Sequence, residues 1–259
     1  MKQRLITAAC LLAVLAVVVW QINTPVLLIA VAFLSAVASG EIMKCAKVEN
    51  TFIRVVGIIF SACFQLFASA KVLEPWVSAS IWGKVIDAVP NIVYIIILCI
   101  VFFLAMLKDY AYTTFEDVSV SIFASVAVPF GFSIFIRLRD MYVDEQFGIY
   151  LIFYALICAL ATDTGAQLMG MAFGKHKMAP KLSPKKSVEG GIGGIAGAAL
   201  IAVLYALAIN HWGNAGVSVA SFAIIGAAGG AISQIGDLAA SAIKRNHDIK
   251  DYGKLIPGH

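Results

Sequence analysis

Asp237, Ser241, Lys244 and Arg245 fall at i, i+4, i+7 and i+8, a spacing that sets four side chains on one face of a helix. A carboxylate able to hold a divalent cation then lies one to two turns from two positive charges, which suits a polyphosphate bound with its metal. Lys250 and Asp251 follow at once. The stretch closes a long apolar run, so it reads as an active site at a membrane surface. A solvated amphipathic tail is the alternative. His247 and His259 have no partners at metal-ligand spacing and are read as non-ligands.

Two more pieces carry chemistry. Asp163, in Asp163-Thr164-Gly165-Ala166, lies inside an apolar run, where a carboxylate is costly unless it faces a polar cavity or a partner. The loop from Gly174 to Gly190 holds Lys175, Lys177, Lys181, Lys185 and Lys186, with Ser183, Ser187 and Glu189 among them. Anchoring against anionic headgroups would explain the charge by itself. Yet Ser-Pro-Lys-Lys-Ser followed by Glu-Gly-Gly is more particular: lysines with serine and glycine amides can cradle phosphate, and Ser187 can cap the next helix.

These residues must be positioned by membrane helices. The chain is 61% hydrophobic and 13% charged, with a mean hydropathy of +0.92, against roughly 25% charged in a soluble domain. Apolar runs begin at about Leu5, Val26, Phe52, Ile92, Val118, Ile149, Ile192 and Val217. Lipid supplies no backbone partners, and the alternation of a barrel is absent. The expectation is an all-α polytopic membrane protein of about eight transmembrane helices. The first run resembles a signal peptide but is read as an uncleaved helix, because further spans follow. With the N-terminus in the cytoplasm, fifteen of the nineteen Lys plus Arg fall on that side, leaving Lys71, Lys84, Arg137 and Arg139 outside. This matches the positive-inside bias and places both termini in the cytoplasm. Lys71 to Pro90, interrupted by Pro75 and carrying Trp76 and Trp82, is read as an interfacial or re-entrant stretch. Pro129 and Gly131 predict a tolerated kink, and Glu41 a span end.

Five widely separated cysteines without a Cys-x-x-Cys argue against a disulfide framework or zinc site. The modest net charge of +4 does not imply nucleic acid. Two regions are expected: 1–147, N-terminal helices of about five spans, and 148–259, a catalytic membrane region with its motifs at the cytoplasmic face.

Gly236-Asp237-Leu238-x-x-Ser241-x-x-Lys244-Arg245, then Lys250-Asp251-x-Gly253 and Pro257-Gly258-His259, resembles the signature of the phosphatidate cytidylyltransferase (CDP-diacylglycerol synthase) family. The motifs around Asp163, Gly174 and Ser183 are similar to that family's other cytoplasmic motifs, so the likeness covers the C-terminal half. The N-terminal half matches as apolar spans, with Arg4 and Glu41 in roughly the expected places. Val188, Gln167 and Met171 depart from residues common in the family. The family pattern runs on past His259 with two glycines and an Asp-Arg-x-Asp element whose first aspartate helps form the metal centre, so the chain is expected to be cut short of that ligand.

The resemblance implies transfer of a cytidylyl group from CTP to phosphatidate, with Mg²⁺ and a possible second cation, in a homodimer of the bacterial inner membrane. It implies Asp237 as metal ligand, Lys244 and Arg245 on phosphates, and Asp163 lining the cavity. Lys175, Ser183, Lys185 and Lys186, with Ser241, Lys250 and Asp251, would hold nucleotide or headgroup. A CTP-dependent transferase for another membrane lipid and an ion or solute transporter stay open beside it.

Overall fold

Each apolar run described becomes a helix, since a backbone without water as a partner closes its hydrogen bonds within its own segment. The computed structural model describes residues 13–68, 91–140, 145–249 and 251–253. The stretch Lys71 to Pro90, most of the first apolar run, Lys250 and Pro257-Gly258-His259 lie outside the described residues. Five helices are long and apolar enough to cross a membrane, and two shorter apolar ones accompany them, among the described residues. The chain divides into two compact units: Met1–Glu145 with Asp251–His259, and Gln146–Lys250.

The first unit contains α1 (Val26–Cys45), α2 (Thr51–Ala68), α3 (Asn91–Lys108) and α4 (Phe115–Asp140). Small serines let α1, α2 and α4 approach closely, and their hydroxyls join the helices where lipid offers no alternative. Ser39 donates to the Ala124 carbonyl at 2.6 Å and lies 2.7 Å from the Ser61 hydroxyl. Gln65 Nε2 reaches Ser35 Oγ at 2.8 Å and the Pro129 carbonyl at 3.0 Å. As expected of a tolerated proline, α4 continues through Pro129. An apolar cluster of Met43, Ile53, Phe102 and Val118 fills the other end. There Asn50 accepts from the Ile53 amide and donates to Thr113, tying two loops together. Thr114 and Asp117 form a reciprocal cap at the start of α4. The backbone of Gly253 runs against the Glu41 carboxylate, where a Cβ would collide. Next to it, burial pushes the Tyr252 phenol above its ordinary range, and the Cys45 thiol adds to the shift.

The second unit contains α5 (Glu145–Phe173), β1 (Lys177–Ala179), β2 (Ser183–Ser187), α6 (Val188–Gly213) and α7 (Val219–Asn246). The hairpin is the one departure from an all-α chain among the described residues: β1 and β2 pair antiparallel, Lys177 with Ser187 and Ala179 with Ser183. Ala179-Pro180-Lys181-Leu182 turns between them, with the Leu182 amide on the Ala179 carbonyl at 3.1 Å; proline suits the second place of such a turn.

Glycine makes α6 the centre of this unit. A Cβ on Gly165 of α5 would lie 2.7 Å from the Gly193 carbonyl, and one on Gly194 would lie 2.9 Å from the Thr162 carbonyl. On its other side, a Cβ on Gly226 of α7 would lie 2.6 Å from the Ala202 methyl. The α6 backbone therefore runs close to α5 over residues 190–197 and close to α7 near Ala198. At the far end Tyr154 donates to the Phe222 carbonyl at 2.6 Å, and the Asn210 amide closes the α6–α7 loop on both backbone groups of Val217 at 2.8 Å.

Candidate active site

The site forms where the hairpin runs into α6. Ser187 ends β2 and caps α6, its hydroxyl accepting from the Gly190 amide at 3.1 Å, the role its sequence position predicts. That hydroxyl is buried against α5, where a Cβ on Gly170 would come within 3.2 Å of it. The other end of the hairpin is fastened by Glu189. Its carboxylate accepts from the amides of Lys175 and His176 at 3.2 Å and pairs with the His176 ring at 2.6 Å. The Val188 amide completes the tie on the His176 carbonyl at 2.9 Å.

This junction holds Lys185 and Lys186 beside the start of α6, where the helix dipole favours anions. A cavity of about 430 Å³ opens there, lined by Lys185, Lys186, Ser187, Gly190 and Gly191 and by Asp163 of α5 and Asp237 of α7. Lys186 Nζ forms an ion pair with Asp237 Oδ2, bridging β2 and α7. The Asp237 carboxylate stays 57% exposed, open to a further ligand. Asp163 is exposed too, and among the described residues it makes no ion pair.

Four of the residues expected from sequence thus meet in one cavity: Asp163, Lys185, Lys186 and Asp237. Ser241, Lys244 and Arg245 lie on α7 as the spacing predicts, but beyond the residues that line it. Lys175 contributes its backbone to the Glu189 clamp, and Ser183 begins β2 outside the lining. Asp251 falls in the first unit, and Lys250 lies outside the described residues.

Gln234 also lines the cavity and was not singled out by the sequence. Its Nε2 donates to the Gly191 carbonyl at 2.8 Å, linking α7 to the first turn of α6. The signal for it was a polar amide within an apolar run, one turn before Asp237.

The donor set fits Mg²⁺. Among the described residues no cluster of three or more His, Cys, Asp or Glu side chains is poised on a metal. Mg²⁺, however, is commonly held by one or two carboxylates together with substrate phosphates and water. Asp237 and Asp163 are such hard oxygen donors, and the Lys186 ammonium shows that the Asp237 position accepts a cation.

A family model described as "Cytidylyltransferase family" matches residues 2–259. Over 263 residues the chain is 30% identical to the phosphatidate cytidylyltransferase of Staphylococcus aureus (strain COL), covering 100% of this chain and 91% of that protein. Over 262 residues it is 28% identical to the Bacillus subtilis (strain 168) protein of the same name, covering 100% and 90%. A stretch of 136 residues is 40% identical to the Haemophilus influenzae phosphatidate cytidylyltransferase, 52% of this chain and 47% of the relative.

Proposed function

The chain belongs to the cytidylyltransferase family, and from that premise we propose that its cavity transfers a cytidylyl group from CTP to phosphatidate, making CDP-diacylglycerol and pyrophosphate. The observation that carries this reading is the Lys186–Asp237 pair, which sets a carboxylate and a cation side by side at the start of α6. In the reaction a phosphate oxygen of phosphatidate forms a bond to the α-phosphorus of CTP. The bond from that phosphorus to the β-phosphate bridging oxygen breaks, and pyrophosphate departs with its electron pair. Both reactants are anions, so positioning and charge neutralisation carry most of the catalysis.

Lys185 and Lys186 bind phosphate oxygens, and the α6 N-terminus supports the same charge. Asp237, with Asp163 in the same cavity, would hold Mg²⁺, which when bound neutralises and polarises phosphoryl oxygens. Lys244 and Arg245 lie about 10–12 Å further along α7 at 1.5 Å per residue. They reach the parts of the reactants that extend out of the cavity, and Ser241 lies between. Lys175 and Ser183 set the edge of the hairpin, and Lys250 and Asp251 continue the polar segment after α7.

The wider setting is part of the same proposal. Eight spans with both ends in the cytoplasm put the hairpin and the end of α7 on the side where CTP is dissolved. Phosphatidate keeps its acyl chains in the bacterial inner membrane with its phosphate level with the helix ends. The protein acts there as a homodimer.

The test is a product assay with the full-length protein in detergent, supplied with labelled CTP, phosphatidate and Mg²⁺. Liponucleotide and pyrophosphate are expected in equal amounts. Asp237→Asn is expected to lower kcat/KM by about 100-fold or more while expression and melting temperature hold. No liponucleotide from the folded protein overturns the reading.

A further inference from the structure

One ion pair in the cavity joins two residues that the reaction needs apart. Lys186 is bound to Asp237, yet one is to hold phosphate and the other a metal. Building on the proposed function, we propose that Lys186 is the resident counter-cation of Asp237, and that the metal takes its place only when it arrives with the nucleotide.

Charge carries the argument. Among the described residues, the ionisable side chains lining the cavity are Asp163, Asp237, Lys185 and Lys186, formally neutral together. A free divalent cation held by Asp237 and Asp163 would stand beside the Lys186 ammonium as a like charge, with no added anion to offset the repulsion. Free CTP would bring its triphosphate against both carboxylates. The metal–nucleotide complex meets neither cost: the carboxylate exchanges an ammonium for a metal ion, and the released ammonium finds a phosphate oxygen. The pair is also placed to exchange, since Lys186 is 28% and Asp237 57% exposed, so neither partner has to be extracted from a closed interior. Ser187, the next residue, is fixed by its cap on α6, which leaves the flexible lysine side chain to make the move.

Mn²⁺ serves as the probe, titrated onto the full-length protein in detergent and read as the metal retained with the protein on an ultrafiltration membrane, through which Mn²⁺ held by CTP in solution passes. No phosphatidate is present, so nothing turns over. Unmodified protein is expected to bind Mn²⁺ weakly by itself and at least about tenfold more tightly with CTP, within the usual range of coupling between ligands. Lys186→Met is expected to bind Mn²⁺ without CTP about tenfold more tightly than unmodified protein, and to lose most of the enhancement by CTP. Lys186→Arg, which keeps the pair, should behave as unmodified protein does. Equal Mn²⁺ affinity of the unmodified protein with and without CTP overturns the exchange, whether or not the variants fold. So does a folded Lys186→Met variant that binds free Mn²⁺ no more tightly, or an Asp237→Asn variant that keeps the CTP-dependent binding. A product assay without liponucleotide would instead sink the assigned reaction, leaving the Mn²⁺ result to judge the exchange by itself.

Discussion

Gln234 shows how much a single amide can organise. Its bond to the Gly191 carbonyl holds α7 against the first turn of α6, and Asp237 lies one turn further on. Gln234→Leu keeps the bulk and loses the bond, which is worth about 1 kcal/mol. A roughly tenfold fall in kcat with little change in KM for CTP is expected, because such a shift misplaces a reacting group more than it weakens ground-state binding. Steady-state kinetics over a CTP series will show it, and a change confined to KM would contradict the positioning role. The sequence made Asp237 and the two lysines legible because charge next to an apolar run has few structural explanations. Gln234 was hidden because one amide barely disturbs a hydrophobic run. Lys244 and Arg245 mark the opposite limit: helical spacing gives the direction of a side chain around the axis, not how far along the axis the cavity extends.

At the scale of elements, the glycine seams of α6 bring Asp163 and Asp237 to one cavity from two helices. Gly165→Ala would press a methyl onto the Gly193 carbonyl at 2.7 Å, a backbone atom that cannot turn aside. A loss of about 1–3 kcal/mol is expected, read as a lower melting temperature in detergent. Gly229→Ala on α7 meets nothing within 4 Å and is expected to leave stability unchanged or raise it by about 0.5–1 kcal/mol. Equal effects of the two would show that the seam does not set the helix spacing. Helices were legible from the length and polarity of the runs, whereas which glycines face a neighbour depends on packing that no run of residues encodes locally. The hairpin escaped for a related reason. Two short polar strands with a proline have little tendency to pair by themselves, and here they pair because Ser187 and Glu189 fasten both ends to the start of α6.

For the whole molecule, the proposed orientation rests on the asymmetry of lysine and arginine. With the native cysteines replaced, Lys181→Cys at the hairpin turn should react with a membrane-impermeant maleimide only when the cytoplasmic face is open to the reagent. Trp212→Cys, at the opposite end of α6, should react only from outside. The reverse pattern would invert the orientation, and labelling of both from one side would remove α6 from the spans. The serines and Gln65 that join α1, α2 and α4 went unremarked in the sequence, because a hydroxyl inside an apolar run is easily absorbed into a helix. The double fastening of the hairpin bears on loading. Both ties lie at the base of the hairpin, where Lys177 pairs with Ser187, so Lys186 stands one residue from an anchored end. Under the proposed exchange, loading asks for a rotamer change of this half-buried lysine rather than for travel of the strand that carries it.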